Sequence, residues 1–184
     1  MSTQLHNSPI YGPVHSRRLG LSVGINLMPA DGKYCTFDCI YCECGYNHER
    51  QTRTPRPTAA EVTAALERQL QTMADDGSRP DVLTFAGNGE PTAHPHFAEI
   101  VDATIALRNR YCPDARISVL SNATQLHRAE VREALMKVDN NIQKLDTVDD
   151  AYIRLVNRPA NPAYRVDDII GQLRLFDGHV IIQT

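Results

Sequence analysis

The segment KYCTFDCIYCECG, residues 33–45, holds four of the five cysteines of the chain. Three of them, Cys35, Cys39 and Cys42, follow a C-x3-C-x2-C pattern, and Cys44 comes two positions later. Cysteines that merely fill a core would be scattered along the chain rather than clustered in one short segment. Because thiolates are the ligands that soft metal centres prefer, this segment predicts a metal site built on three or four cysteines.

The composition is typical of a folded globular domain. The chain has 184 residues, of which 42% are hydrophobic and 22% charged, which is enough for one domain with its own core. The net charge of −3 disfavours a domain devoted to binding phosphate backbones, and we interpret the basic pair Arg17 and Arg18 as surface. No apolar run reaches membrane-spanning length, and residues 1–9 lack a signal-peptide core. We therefore expect a cytoplasmic protein with reduced thiols and no membrane partner.

Hydrophobic periodicity predicts alternating strands and helices after an irregular N-terminal arm over residues 1–20. Strands are predicted over residues 21–27, 81–86, 117–121, 141–145 and 179–184. Helices are predicted from a capping box at Thr58 to about residue 75, then over about 95–107, 128–138, 151–156 and, capped by Asn161 and Pro162, to residue 176. This alternation predicts an α/β fold with right-handed crossovers and a parallel sheet. Since the last apolar strand has no covering helix, we expect residues 21–184 to form one core domain that is incomplete at its C-terminus.

Four segments rich in polar, glycine or cysteine residues follow or end successive predicted strands. They are the cysteine segment, Gly87–Pro91, Ser121-Asn122 and Lys144–Asp146. In a barrel-like parallel sheet, the loops that follow the strands open at one face, where functional residues gather. We therefore expect these four segments to share one rim of the sheet.

On these residues the sequence resembles the radical S-adenosylmethionine (SAM) superfamily. The resemblance rests on the three spaced cysteines, on Tyr41 before the last of them, and on Gly87–Glu90, which is similar to the Gly-Gly-Glu turn of that family. It implies a partial (β/α)6 TIM-like barrel, truncated here after the fifth strand. It also implies a [4Fe–4S] cluster and SAM as cofactors, with reductive cleavage of SAM to a 5′-deoxyadenosyl radical that abstracts hydrogen from a substrate. Within the superfamily, residues 16–27 and 35–42 are similar to microbial Fe–S oxidoreductases related to the enzyme that builds wybutosine in tRNA.

The resemblance also implies roles for individual residues. Three cysteines would each hold one iron and leave the fourth iron open to SAM: Cys35, Cys39 and Cys42. Tyr41 would flank the adenine, and the glycine turn would present backbone oxygens and the Glu90 carboxylate to the methionine ammonium. The remaining SAM contacts implied are Gly87, Asn88, Gly89, Ser121, Asn122 and Lys144. A flavodoxin- or ferredoxin-like protein would donate the electron. The substrate is unknown, with a modified tRNA base as the leading candidate and a peptide or a small molecule as the alternatives.

Simpler interpretations of the same residues stay open. A structural zinc site would use Cys44 or His48 as a fourth ligand, although zinc sites usually pair two short cysteine knuckles across a longer spacer. With Cys44 on the fourth iron, the chain would be a non-catalytic Fe–S electron carrier. Asn122 could form only a local turn, and Lys144 could be a solvated strand end. Metal analysis of a Cys44 variant separates the carrier and the zinc module from the enzyme.

Overall fold

A computed structural model describes residues 4–17, 19–49 and 52–184. Its central feature is one six-stranded sheet whose strands neighbour one another in chain order. The strands are β1 (Ile10–Ser16), β2 (Gly20–Ile25), β3 (Val82–Phe85), β4 (Arg116–Ser121), β5 (Asn140–Lys144) and β6 (Ile181–Gln183). β1 is antiparallel to β2, and every later neighbouring pair is parallel. An open, mostly parallel sheet confirms the predicted α/β class, with five strands of a partial barrel in parallel order.

The helices alternate with the parallel strands as predicted. They are α1 (Ala59–Asp75), α2 (Phe97–Tyr111), α3 (Ala129–Leu135), α4 (Asp150–Val156) and α5 (Val166–Arg174), and a short 3-10 turn covers Pro91–Ala93. α1 begins at the predicted capping box. The side chains of Thr58 and Glu61 each accept a hydrogen bond from the backbone N–H of the other residue. The predicted cap of α5 is wrong: Asn161 starts a separate turn through Ala163 and Tyr164, and the helix begins only at Val166.

The predicted irregular arm is wrong over Ile10–Ser16, which form β1. Gly12 and Pro13 argued against a strand, but among the described residues this strand pairs with β2 alone, and its register shifts between Tyr11 and Val14. Edge strands and bulges are the positions where a sheet tolerates proline. Arg18, the second residue of the basic pair, lies outside the described residues.

The two faces of the sheet differ in polarity. One face carries Leu83, Phe85, Ile117 and Val119, which belong to the core cluster together with residues of α1, α2 and α3. Alternation along each strand places the other residues on the opposite face. There Gly24, Thr84, Ser118 and Asn140 are register partners on four adjacent strands, and Asn140 donates to Ser118 Oγ at 2.9 Å.

The parallel order brings the carboxyl ends of β2 to β5 side by side. The cysteine segment, Gly87–Pro91, Ser121-Asn122 and Lys144–Asp146 therefore lie along one edge, as the sequence predicts. Among the described residues, no helix is both long and apolar enough to cross a membrane.

Candidate functional site

The cysteine loop, defined as residues 33–45, leaves the carboxyl end of β2 and lies across the edge of the sheet. Its four cysteines are free thiols and partly exposed. Phe37 anchors the loop, because its ring is 2% exposed and packs edge-on against Tyr164 with ring centroids 5.5 Å apart. The loop therefore has one apolar anchor between its first two cysteines, while the four thiols are partly buried.

The glycine turn, defined as residues 87–90, is joined directly to the cysteine loop. Tyr34 N donates to Asn88 O at 2.9 Å, and Glu90 N donates to Tyr34 O at 3.2 Å, so that Tyr34 and Gly89 form a parallel bridge. A Cβ on Gly89 would lie 1.8 Å from Tyr34 O, and its φ is +148°. Only glycine allows two backbones to approach this closely in that conformation. The turn thus sets the position of the residue before Cys35.

Asn88 is fully buried and its side chain holds the N-terminal segment in place. Its Nδ2 donates to His6 O at 2.7 Å and to Pro29 O at 2.8 Å, while its Oδ1 accepts from His6 N at 2.8 Å. These contacts engage both the Nδ2 and the Oδ1 of Asn88 in hydrogen bonds within the protein. The role of Asn88 as a SAM contact stays a prediction, and its side chain holds the architecture of the site.

Glu90 links the ends of β3 and β4. Its carboxylate accepts from Thr92 N at 3.0 Å and from Asn122 N at 2.7 Å, and the residue is 2% exposed. Burial raises the pKa of Glu90, and the hydrogen bonds from Thr92 and Asn122 oppose that effect. Because these partners occupy much of the acceptor capacity of a carboxylate, Glu90 mainly fixes the shape of the turn.

Ser121 and Asn122 follow β4 and are both buried. Ser121 Oγ accepts from Ala123 N at 3.1 Å, and Asn122 Oδ1 accepts from Thr124 N at 3.1 Å. These are local turns of the kind expected as the simpler interpretation. However, Asn122 also reaches the cysteine loop, since its Nδ2 lies 2.9 Å from Thr36 Oγ1 and donates to Cys35 Sγ at 3.6 Å.

Each of the three spaced cysteines has a polar neighbour suited to a thiolate. Asn122 donates to Cys35, and Asn157 Nδ2 donates to Cys39 Sγ at 3.4 Å. A hydrogen bond from Cys44 first, and the charge of Lys33 further down, lower the pKa of Cys42 to about 5. In contrast, burial raises the pKa of Cys35 to about 12 in the metal-free chain.

Lys33, the first residue of the cysteine loop, is a buried cation. Its Nζ donates to Asp38 Oδ1 at 3.1 Å and to Gly45 O at 2.8 Å. Burial lowers the pKa of Lys33, but the nearby Cys42 and Asp38 outweigh that effect and the net pKa is raised. The ammonium therefore stays charged and closes the loop onto itself.

Cys44 differs from the other three thiols of the loop. Its Sγ lies within hydrogen-bond distance of Gly87 O, at 3.4 Å, and also contacts Cys42, so its single S–H donates to one of the two at a time. Its contact with Cys42, followed by burial, raises the pKa of Cys44. The geometry thus separates one thiol that contacts the glycine turn from two that accept side-chain N–H bonds.

Tyr41 and Lys144 meet at the end of β5. The Tyr41 hydroxyl donates to Asp146 Oδ2, Lys144 Nζ lies 3.2 Å from Asp146 Oδ1, and the same ammonium stands 4.9 Å from the centre of the Tyr41 ring. Lys144 is thus not a free strand end. The ring of Tyr41 stays 45% exposed, so one aromatic surface remains accessible beside the cysteine loop.

A cavity of about 470 Å³ opens beside Lys33, Tyr34, Cys35, Thr36 and Asn47. A second, of about 590 Å³, begins at Thr36 and continues between the segment after β4 and α5. Of the cysteines, only Cys35 borders either of these two. Within the described part of the chain, no three Cys, His, Asp or Glu side chains converge on a single ion position; in an iron–sulfur cube, by comparison, each thiolate binds its own iron.

Three residues of this site were not predicted from the sequence: Lys33, Thr36 and Asn157. Lys33 and Thr36 belong to the cysteine segment, but nothing in their spacing shows that they turn inward. Asn157 directly follows a predicted helix, where asparagine is a common terminating residue. That position explains its backbone but gives no sign of its contact with Cys39, 118 residues away.

Comparison with known proteins adds to this geometry. The family model described as the radical SAM superfamily matches residues 31–176. A UPF0026 protein of Helicobacter pylori is 32% identical over 182 residues, covering 97% of this chain and 56% of that protein. A UPF0026 protein of Methanocaldococcus jannaschii is 32% identical over 150 residues, covering 81% of this chain and 44% of the relative. The chain therefore spans about half the length of these relatives.

The fold is also similar to a solved structure, archaeal TYW1. That similarity has a TM-score of 0.52 and 13% identity, and it covers 88% of this chain and 53% of the other. At this identity the similarity shows the fold alone, a partial TIM-like barrel. The family model spans most of the chain and includes both the cysteine loop and the glycine turn. This chain therefore belongs to the radical SAM superfamily, whose members use SAM and an iron–sulfur cluster.

Proposed function

We propose that this chain is a radical SAM enzyme in which Cys35, Cys39 and Cys42 hold a [4Fe–4S] cluster whose fourth iron binds SAM. The observation that carries the proposal is the Tyr34–Gly89 bridge, which fixes the cysteine loop against the glycine turn. When bound, the cluster and SAM supply one-electron cleavage of the sulfonium and a 5′-deoxyadenosyl radical that abstracts hydrogen from a substrate. The protein positions these groups and limits the access of water.

The contacts of the thiols support three cysteine ligands rather than four. Cys35 and Cys39 accept N–H bonds from Asn122 and Asn157, as electron-rich thiolate ligands do. Cys44 instead lies 3.4 Å from the carbonyl oxygen of Gly87, a contact that a three-cysteine cluster would leave in place. The residues present fit a cluster with one open iron. An electron carrier or a zinc module would need a fourth ligand. Cys44 would then have to leave its contact with Gly87, or His48 would have to bind the metal.

The glycine turn and the strand ends are the proposed SAM contacts. We assign the methionine ammonium to backbone oxygens of the turn at Gly87 and Gly89, because the Glu90 carboxylate is occupied by Thr92 and Asn122. Asn88 and Glu90 then act by holding the turn. Ser121 and Asn122 border the methionine side.

Tyr41 is proposed to place its exposed ring beside the adenine. The lysine at the end of β5, Lys144, stands over the same ring. It would orient the ring and add a positive charge near the nucleoside.

A nucleic-acid substrate, with a modified tRNA base as the leading candidate, is supported by the rim of the site. Three tyrosines of the cysteine loop and its continuation pair with cations: Arg56 lies 4.9 Å from Tyr34, Arg158 lies 5.3 Å from Tyr46, and Lys144 stands over Tyr41. Aromatic rings and cations side by side suit unstacked bases and phosphates. We further propose a cytoplasmic location, where thiols stay reduced, and a flavodoxin- or ferredoxin-like electron donor.

Anaerobic reconstitution with iron and sulfide tests this function. The chain should take up about four irons and develop the EPR signal of a reduced cube, and SAM should change that signal. Cys39→Ala should lose the cluster, whereas Cys44→Ala should keep it and its response to SAM. Cys112→Ala, which alters the buried cysteine outside the loop, is the matched control. A cluster that ignores SAM, or that disappears with Cys44, would overturn the proposal in favour of a carrier, and bound zinc would favour the zinc module.

A further inference from the structure

Asn157 contacts three groups of the site, and the proposed function uses only its contact with Cys39. It is 1% exposed and lies at the C-terminal end of α4. Its Nδ2 is 3.4 Å from Cys39 Sγ, 2.8 Å from the hydroxyl of Tyr41 and 2.5 Å from Asp146 Oδ2. Three groups from two other parts of the chain thus surround a single amide nitrogen.

These neighbours determine which way the amide faces. A carboxylate, such as that of Asp146, is an acceptor only, and a thiolate is also an acceptor. The two N–H bonds of Asn157 must therefore point toward Asp146 and Cys39 rather than away from them. Its Oδ1 is buried and has no hydrogen-bond partner among the described residues. The contacts of Nδ2 alone hold the side chain in this orientation.

The backbone fixes the distance between Asn157 and Cys39. On one side of the cysteine, Asp38 N donates to Asn157 O at 2.9 Å; on the other side, Ile40 N donates to Val156 O at 2.9 Å. The last carbonyls of α4, which have no partner inside the helix, are thus satisfied by amides on both sides of Cys39. Arg158 then ends the helix in the left-handed conformation, with φ of +48°.

We propose that Asn157 is a positioning residue for the cluster. Its amide orients the sulfur of Cys39 and raises the reduction potential of the iron that this sulfur binds. This inference rests on the proposed function, because it requires Cys39 to be a ligand. An N–H bond to a ligand sulfur stabilises the additional negative charge of the reduced cluster, so removing the bond favours the oxidised state. Asp146 and Tyr41 act on the same amide and hold it toward the sulfur.

The test compares the midpoint potential of the reconstituted cluster in variants of two asparagines. In Asn157→Ala, we expect the ratio of reduced to oxidised cluster at a fixed potential to fall about tenfold, which is ~59 mV for a one-electron couple. Asn157→Leu keeps the approximate size of the side chain but removes the donor, and it should lower the potential by a similar amount. This second variant decides the question if Asn157→Ala retains no cluster.

Asn47→Ala is the matched control. Asn47 also donates its Nδ2 to the cysteine loop, but to the carbonyls of Cys35 and Phe37, at 3.1 and 3.2 Å, rather than to a sulfur. Its Oδ1 is likewise buried without a partner in the described chain. The control should loosen the loop and leave the potential unchanged.

The outcomes separate this inference from the proposed function. If the unmutated chain assembles a SAM-responsive cluster and the Asn157 variants keep its potential, the inference is wrong and the function stands. Equal shifts in Asn47→Ala and Asn157→Ala would also refute it, because loop loosening alone would then explain the change. If the unmutated chain assembles no cluster, both fail.

Discussion

Substituting Gly89 by alanine tests the joint between the cysteine loop and the glycine turn. The new Cβ would lie 1.8 Å from Tyr34 O and 2.5 Å from Tyr34 C. Both are backbone atoms, so no side chain can move aside to make room. The two segments must separate, and the bridge between Tyr34 and Gly89 must break.

The cost can be worked out from what the separation removes. It breaks two backbone hydrogen bonds, from Tyr34 N to Asn88 O and from Glu90 N to Tyr34 O. Each contributes about 1 kcal/mol to the free energy of unfolding. Holding a non-glycine residue at φ of +148° costs about 1–3 kcal/mol more. We therefore expect Gly89→Ala to lower the free energy of unfolding by roughly 3–5 kcal/mol, which is a large part of the stability of a small domain.

Urea unfolding followed by circular dichroism measures this loss, and iron content after reconstitution measures its effect on the site. The control is Gly171→Ala, since nothing lies within 4 Å of a Cβ at Gly171 in helix α5; it should be neutral or stabilise by about 1 kcal/mol. If Gly89→Ala unfolds within about 1 kcal/mol of the unmutated chain and binds iron normally, the argument that this bridge positions the cysteine loop is wrong.

Two further predictions concern titrating groups. In the metal-free chain at pH 7, iodoacetamide should alkylate Cys42 before Cys35, because the hydrogen bond from Cys44 and the charge of Lys33 lower the pKa of Cys42 to about 5, while burial raises that of Cys35 to about 12. Peptide mass spectrometry measures both rates, and the rate at Cys42 should decline below about pH 5; equal rates at pH 7 would contradict this. Glu90→Gln should flatten the dependence of unfolding free energy on pH. Burial raises the pKa of Glu90 above 4.5, so the folded state keeps that proton to higher pH and the unmutated chain loses stability as pH rises above that value; parallel curves for the two proteins would refute it.

The alternating elements could be predicted because their signals are local. The spacing of Val62, Leu66, Leu70 and Met73 shows which face of α1 is buried, and all four are buried. The capping box at Thr58 needs only residues within one helical turn. Likewise, chain order and the parallel strands were enough to predict that the cysteine segment and the glycine turn share one edge.

The contacts that complete the site could not be predicted, because they join residues far apart in the chain. Gly12 and Pro13 are loop residues by local preference, and only the edge position and the register shift beside β2 make β1 possible. Asn88 resembles a ligand residue by its motif, yet its amide is used on His6, 82 positions earlier. No periodicity or spacing encodes a hydrogen bond of that kind.

The role of Cys44 depends on contacts that its spacing in the sequence does not show. Its spacing left two roles open, because a fourth thiol near three others suits a carrier as well as an enzyme. In the metal-free chain its Sγ lies 3.4 Å from Gly87 O, a contact that binding to iron would remove, and the Cys44→Ala variant decides between the two roles. The acceptor is a carbonyl of the glycine turn, so a Cys44 bound to iron would leave that contact unmade. The proposed three-cysteine cluster would leave this contact between Cys44 and the glycine turn in place.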